Sequence, residues 1–244
     1  MSPPLTAPHL SPLQVAQRLQ VWFSPALPTG AFSHGHGIEA AIEDDDIHDA
    51  ASLHAWLDAV LCRGAGRNDA ILMRAAWHCV HESACGIADS TRNGESTSLR
   101  DIDDLARALC AGAERLDETL SQGRSFADAT AAWRIPDRAP LPGLRDLSLP
   151  VVIGAVAACH RLPLQETLVA ALQALVGNLA WIAARLLPLG QQATLGILAT
   201  LEPRVLHIAD QACTASLDEL GSGVPLADLA SLRHETQRSR VCRT

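Results

Sequence analysis

The chain has 244 residues, a formal charge of −8 and 48% apolar residues, which suits one sizeable globular core. All 19 of its basic residues are arginine and it has no tyrosine. Without lysine there is no Walker-type phosphate-binding lysine and no Schiff-base lysine, so an ordinary P-loop NTPase, a kinase and a pyridoxal enzyme are excluded. The acidic balance argues against nucleic acid or an anionic membrane held by bulk charge. Leucine and alanine far outnumber valine and isoleucine, which favours helix over sheet.

The first residues, MSPPLTAPHLSP, have neither a basic n-region nor an apolar h-region, so no signal peptide is expected, and residues 1–10 are expected to be disordered. Ser11-Pro12-Leu13-Gln14 reads as a helix start: a serine cap, proline at the first helical position and glutamine three after the cap. That helix should stop before Ser24-Pro25, because proline disfavours helix in the residue before it. Ser24 to Glu39 carries two prolines, three glycines and the pair His34 and His36, and reads as an ordered loop because Leu27, Phe32 and Ile38 give it something to bury, with a short helix near 36–44.

Asp49 can cap a second helix, whose Leu53, Trp56, Leu57, Val60 and Leu61 follow helical spacing until Gly64 and Gly66 stop it. Asn68 can cap a third, running to about His81. Residues 86–98 read as a polar loop, and 101–133 as helix broken near Gly112 or Gly123. The proline-rich stretch 134–150 reads as a long connection. Apolar helices follow at 150–160, 163–186, 190–200 and 203–219, then a turn at Gly221-Ser222-Gly223 and a tail carrying Arg233, Arg238, Arg240 and Arg243. Leu168 to Ala184 reaches the lower edge of a membrane span, but an all-round apolar helix also fits the centre of a soluble bundle, which is the reading preferred. The fold class expected is therefore all-α: a single-domain bundle of about eight to ten helices with a Pro/Gly-rich N-terminal loop and a basic tail. The divisions are 1–10, a helical domain at 11–232, and a tail at 233–244 for partner docking.

Chemistry is sparse. The seven cysteines are scattered with no C-x-x-C pair, so they form neither a disulfide framework nor a zinc ribbon and suit a reduced, cytoplasmic protein. His78, His81, Glu82 and Cys85 share one helical face, and His34 and His36 stand beside glycines; these are ligand types. A polar face with Arg74 in its middle and a two-histidine loop read more simply as surface or interface, so no metal site is assigned. No nucleophile elbow, zincin or dinucleotide fingerprint occurs, and no catalytic residue is assigned.

Four stretches in order carry a resemblance. Ser24-Pro25-Ala26-Leu27-Pro28-Thr29-Gly30-Ala31-Phe32-Ser33 with Gly37-Ile38-Glu39 resembles the N-terminal signature of the urease accessory UreF family. Gln122-Gly123-Arg124 is similar to its mid-chain helix, Arg185-Leu186-Leu187-Pro188-Leu189-Gly190-Gln191 to its Arg-Leu-x-Pro-Leu-Gly-Gln stretch, and His234-Glu235, Arg240 and Arg243-Thr244 to its ending. The chain departs from that pattern where His34 replaces a frequent tyrosine and where Val241-Cys242 stands for a frequent Leu-Phe. The resemblance implies an all-α, non-enzymatic adaptor without a cofactor. It would bind UreD (also called UreH) and recruit or regulate the GTPase UreG, so that nickel enters apo-urease, and it would dimerise within that complex. It places partner contacts at Pro28, Gly30, Phe32, His34, Glu39, Arg185, Gln191, His234, Glu235, Arg240 and Arg243. The alternative is a nickel-carrying chaperone using His34/His36 or His78/His81.

Overall fold

A computed structural model describes residues 10–85, 97–133 and 141–244, with the side chains of 83–85 left aside. Of residues 1–10, expected to be disordered, 1–9 lie outside the described residues, whereas Leu10 packs against the core. The connections at 86–96 and 134–140 and the Cys85 side chain also lie outside the described residues. Among the described residues there are ten α-helices and no strand: α1 Pro12–Trp22, α2 Ile38–Glu43, α3 Ala50–Arg63, α4 Ala65–Cys85, α5 Leu99–Ala108, α6 Ala113–Thr130, α7 Leu149–Cys159, α8 Leu164–Leu186, α9 Gln191–Ala212 and α10 Pro225–His234. The fold is all-α, as the composition indicates.

The caps at Ser11 and Asp49 form as the sequence predicts, each a reciprocal box with the residue three positions on. Other boundaries move for physical reasons. α4 begins at Ala65, because Gly64 alone breaks the path from α3. Gly66 sits inside α4, where a Cβ would come within 2.8 Å of the Leu61 backbone. Asn68 does not cap; its side-chain oxygen accepts the Gly221 N–H at 3.1 Å. Of the two candidate breaks, only the one at Gly112 is real. Gly123 lies within α6, where a Cβ would meet the Leu147 carbonyl at 2.4 Å, so it is there for close approach of the segment before α7. The two helices expected at 190–200 and 203–219 are one helix to Ala212 with Pro203 inside it. Pro203 and Ala199, whose carbonyl it leaves without a donor, both lie on the exposed face, where water can take that carbonyl. The last helix runs through His234, so the boundary expected at 232/233 falls inside it.

α7 is the centre of the core. Pro150 to Cys159 are all buried, packed between α4 and α6. The crossing with α4 is close enough that a Cβ on Gly154 would lie 2.1 Å from the Met73 carbonyl. α8 is apolar and long enough to cross a membrane by length and composition, yet half of its most apolar stretch is buried within the domain, against α9, α4 and α3. Trp22 closes the other end of the core, edge-on to Phe126 and Trp133 at 5.9 Å and to His160 at 5.0 Å.

Candidate functional site

The loop before α2 is built to a fixed shape. Gly30 and Gly37 sit at φ +75° and His36 at φ +52°, left-handed conformations that glycine takes freely and histidine does not. Gly37 is also pressed against α10, where a Cβ would come within 2.4 Å of the Ser231 nitrogen. Around these bends the carbonyls find partners from α8. Asn178 Nδ2 donates to Ala31 at 2.8 Å and to His34 at 3.2 Å, and the Arg185 guanidinium donates to Phe32 at 2.7 Å. The arginine at the end of the apolar helix therefore holds the loop.

The tail is ordered on its own chain. The Arg243 N–H donates to the Ser33 carbonyl and the Gly35 N–H to the Thr244 carbonyl, both at 2.7 Å. The Glu39 carboxylate, on α2, accepts the Val241 N–H at 2.8 Å and the Cys242 N–H at 2.8 Å. Cys242 and Thr244 point inward and are buried; Val241 and Arg243 point outward. Burial beside Glu39 pushes the Cys242 thiol up to about 11, so it sits as an inert, protonated thiol.

Beneath the tail lies a buried polar knot centred on Glu118 of α6. Its carboxylate accepts the Thr244 hydroxyl at 2.7 Å and Gln122 Nε2 at 2.9 Å, lies 2.8 Å from His36 Nε2, and pairs with Arg115. Burial alone would raise its pKa; Arg115, then His36, overcome that and hold it well below the usual carboxylate range. Burial pushes His34 down, and burial followed by Arg115 pushes His36 down.

A second knot joins α10 to α6. His234, fully buried, pairs through Nδ1 with Glu114 at 2.7 Å, and Glu114 also pairs with Arg240. Glu235 accepts the Glu114 N–H at 3.1 Å, supplying from elsewhere in the chain the cap that Gly112 lacks at the start of α6.

The residues expected at a partner surface thus divide. Pro28, Phe32, Arg185, Arg240 and Arg243 are exposed around the junction of loop and tail, Phe32 at 68%, and Gly30 is half-buried beside them. His34, Glu39 and His234 are buried and hold the loop and tail, and Glu235 is half-buried as a cap; these four shape the surface from behind. Gln191 is exposed at the start of α9. Sequence reasoning missed Glu114, Arg115, Glu118 and Asn178. The available signal was the 114/118/122 spacing, which puts three polar residues on one face of α6.

Among the described residues the two histidine pairs do not gather further ligands. His34 and His36 converge on one carboxylate, His78 lies 3.8 Å from Glu82, and His81 stacks on Trp77. Among the described residues no group of three or more His, Cys, Asp and Glu is placed to hold a metal ion.

Next to the Glu118 knot a cavity of about 930 Å³ opens between α1, the loop, α6, α7 and α8. Its walls include Trp22, Phe23, Phe32, Phe126 and Trp181, and its polar lining includes His36, Asp69, Arg115 and Glu118. Burial pushes the Asp69 carboxyl up to about 7; Arg115 opposes that shift and Glu118 adds to it.

The UreF family model matches residues 47–202. The chain is 44% identical to a urease accessory protein UreF of Rhodopseudomonas palustris (strain HaA2), covering 99% of this chain and 100% of that one. It is 44% identical to that of Bradyrhizobium diazoefficiens over 99% and 97% of the two chains, and 39% identical to that of Brucella ovis over 96% of each. Matched over nearly its whole length, the chain belongs to the UreF family of urease accessory proteins.

Proposed function

We propose that this protein is a non-enzymatic adaptor of urease maturation. It binds a UreD/UreH partner, recruits or regulates the GTPase UreG, and so serves nickel insertion into apo-urease in the cytoplasm, as a dimer within the assembly. The observation that carries this reading is the junction of loop and tail. Pro28, Phe32, Arg185, Val241 and Arg243 stand exposed on one ordered surface, and the carboxylates of Glu39 and Glu118 fix it from behind. Such a surface has the makings of an interface: an exposed aromatic, arginine forks and a rigid backbone. The carboxylates of Glu39, Glu114 and Glu118 behind it are engaged by main-chain N–H groups, arginine and histidine, which supports a surface that offers a shape to a partner.

The test is capture of the UreD-family protein by the purified chain, followed by addition of the GTPase. Phe32→Ala and Arg243→Ala, which leave the buried knots untouched, should fold normally and weaken capture of a partner by about tenfold or more. Full capture of both partners by the double variant would refute the assignment of this surface.

A further inference from the structure

The cavity beside the Glu118 knot is built unlike a packing defect. Five of the chain's eight aromatic side chains line it, and its volume of about 930 Å³ is that of a pocket for a drug-sized molecule. Phe32 and Trp181, 68% and 41% exposed, lie at its outer edge, while the buried Met73, Phe126 and Ile153 form its interior.

Apart from the Trp22 indole N–H, which is buried without a partner, the polar groups of the interior are already committed, with Asp69 the exception among the charged groups. Arg115 and His36 pair with Glu118, Gln122 donates to Glu118, Thr119 accepts from the Leu149 N–H, and Asn178 donates to the loop. The Asp69 carboxyl lines the same space and makes no hydrogen bond or ion pair among the described residues. A half-buried carboxyl that faces an apolar cavity without a hydrogen-bond partner is costly, and aromatic walls attract cations through their ring faces.

We propose that this cavity is a binding site for an organic cation with an apolar body, an alkyl- or arylalkylammonium, whose charge meets the Asp69 carboxylate while its body lies against the aromatic walls. The class follows by complementarity. An anion would face the carboxylates of Asp69 and Glu118, with Arg115, the nearby cation, already paired with Glu118, and an uncharged hydrocarbon would leave Asp69 as it is. The site adjoins the proposed partner surface, with Pro28, Gly30 and Phe32 bordering both, and it does not depend on that reading.

The experiment is titration of the full chain with octylammonium, octanol and octanoate, followed by calorimetry and by the fluorescence of Trp22 and Trp181. Octylammonium should bind about tenfold or more tightly than either of the others, the margin expected of a desolvated charge pair. Asp69→Asn should bring it down to the level of octanol. Gly177 lines the cavity with open space where a Cβ would stand, so Gly177→Leu should fill the site and abolish binding in a chain that melts at or near the parent temperature. Octanoate or octanol binding as well as the amine, or undiminished amine binding by either variant, would overturn the proposal.

Discussion

The hydroxyl of Thr244 donates to the carboxylate of Glu118 at 2.7 Å, joining residues 126 apart in the chain. Through that one contact the end of the tail, the middle of α6, Arg115 and His36 become a single buried assembly. Glu118→Gln removes the charge that Arg115 and His36 answer. Leaving one partner of a buried pair uncompensated costs about 3 kcal/mol, so the denaturation midpoint should fall. The tail should also loosen, with trypsin cutting after Arg238 and Arg240 sooner than in the parent. The sign with pH is fixed by the direction of the Glu118 shift: its contribution is full above the ordinary carboxylate range and is lost as pH falls through its own depressed value. The variant should show a shallower loss of stability in acid.

Glu39 acts on the tail through main-chain N–H groups, so its loss should be visible at those amides. In Glu39→Ala the Val241 and Cys242 amides should exchange with deuterium about tenfold faster or more, while the amides of α7 keep their protection. Parent-like protection at both tail amides would show that Glu39 does not anchor them.

His160 supplies a second pH effect, with its own window. Its Nδ1 lies 3.3 Å from an Arg18 nitrogen, and as neutral imidazole it can accept that hydrogen bond. Burial, then Arg18, brings its pKa down to about 4. The unfolded chain binds this proton near pH 6.5 and the native chain only near 4, so stability should fall as pH drops between those values, by about 3 kcal/mol in all. In His160→Gln, which keeps an acceptor and cannot titrate, urea melts at about pH 7 and about pH 4.5 should differ less than they do in the parent.

Gly154 tests the α4–α7 crossing. A methyl group there would overlap the Met73 carbonyl, a backbone atom that cannot swing aside. Gly154→Ala should lower stability by about 3 kcal/mol although alanine is the better helix former. Gly196→Ala, at a helical glycine with open space around it, should leave stability unchanged or raise it slightly in the same thermal melts.

The fold was largely legible because its signals are local. Ser11 and Asp49 announce their helices by cap chemistry, and the leucine spacing of α3 names its buried face. What failed were places where a residue answers to a distant part of the chain. Gly123 reads as a breaker until Leu147 is seen against it, Asn68 reads as a cap until Gly221 is found on its side chain, and Pro203 reads as a stop until its exposure is known. The candidate site shows the same division. The loop of prolines and glycines and the arginine of α8 are visible in the sequence, whereas the burial of His34, Glu39 and His234 is not, because a sequence does not say which side of a surface a side chain occupies. Glu118 was invisible for another reason: its partners come from α6 itself, from the loop and from the last residue, and no spacing rule links those three.

The alternation along the tail has a consequence for how such a protein can change. Glu39 and the loop grip the tail by its main chain, and only Cys242 and Thr244 fill space within the fold. The ribbon therefore has a fixed underside and a free upper side. Positions 241 and 243 can be rewritten, to an aromatic, an acid or a larger apolar group, without disturbing how the tail is seated, so long as neither becomes proline. If this surface docks a partner as proposed, its specificity can drift there at almost no cost to folding, while a single change on the underside would unseat the whole display.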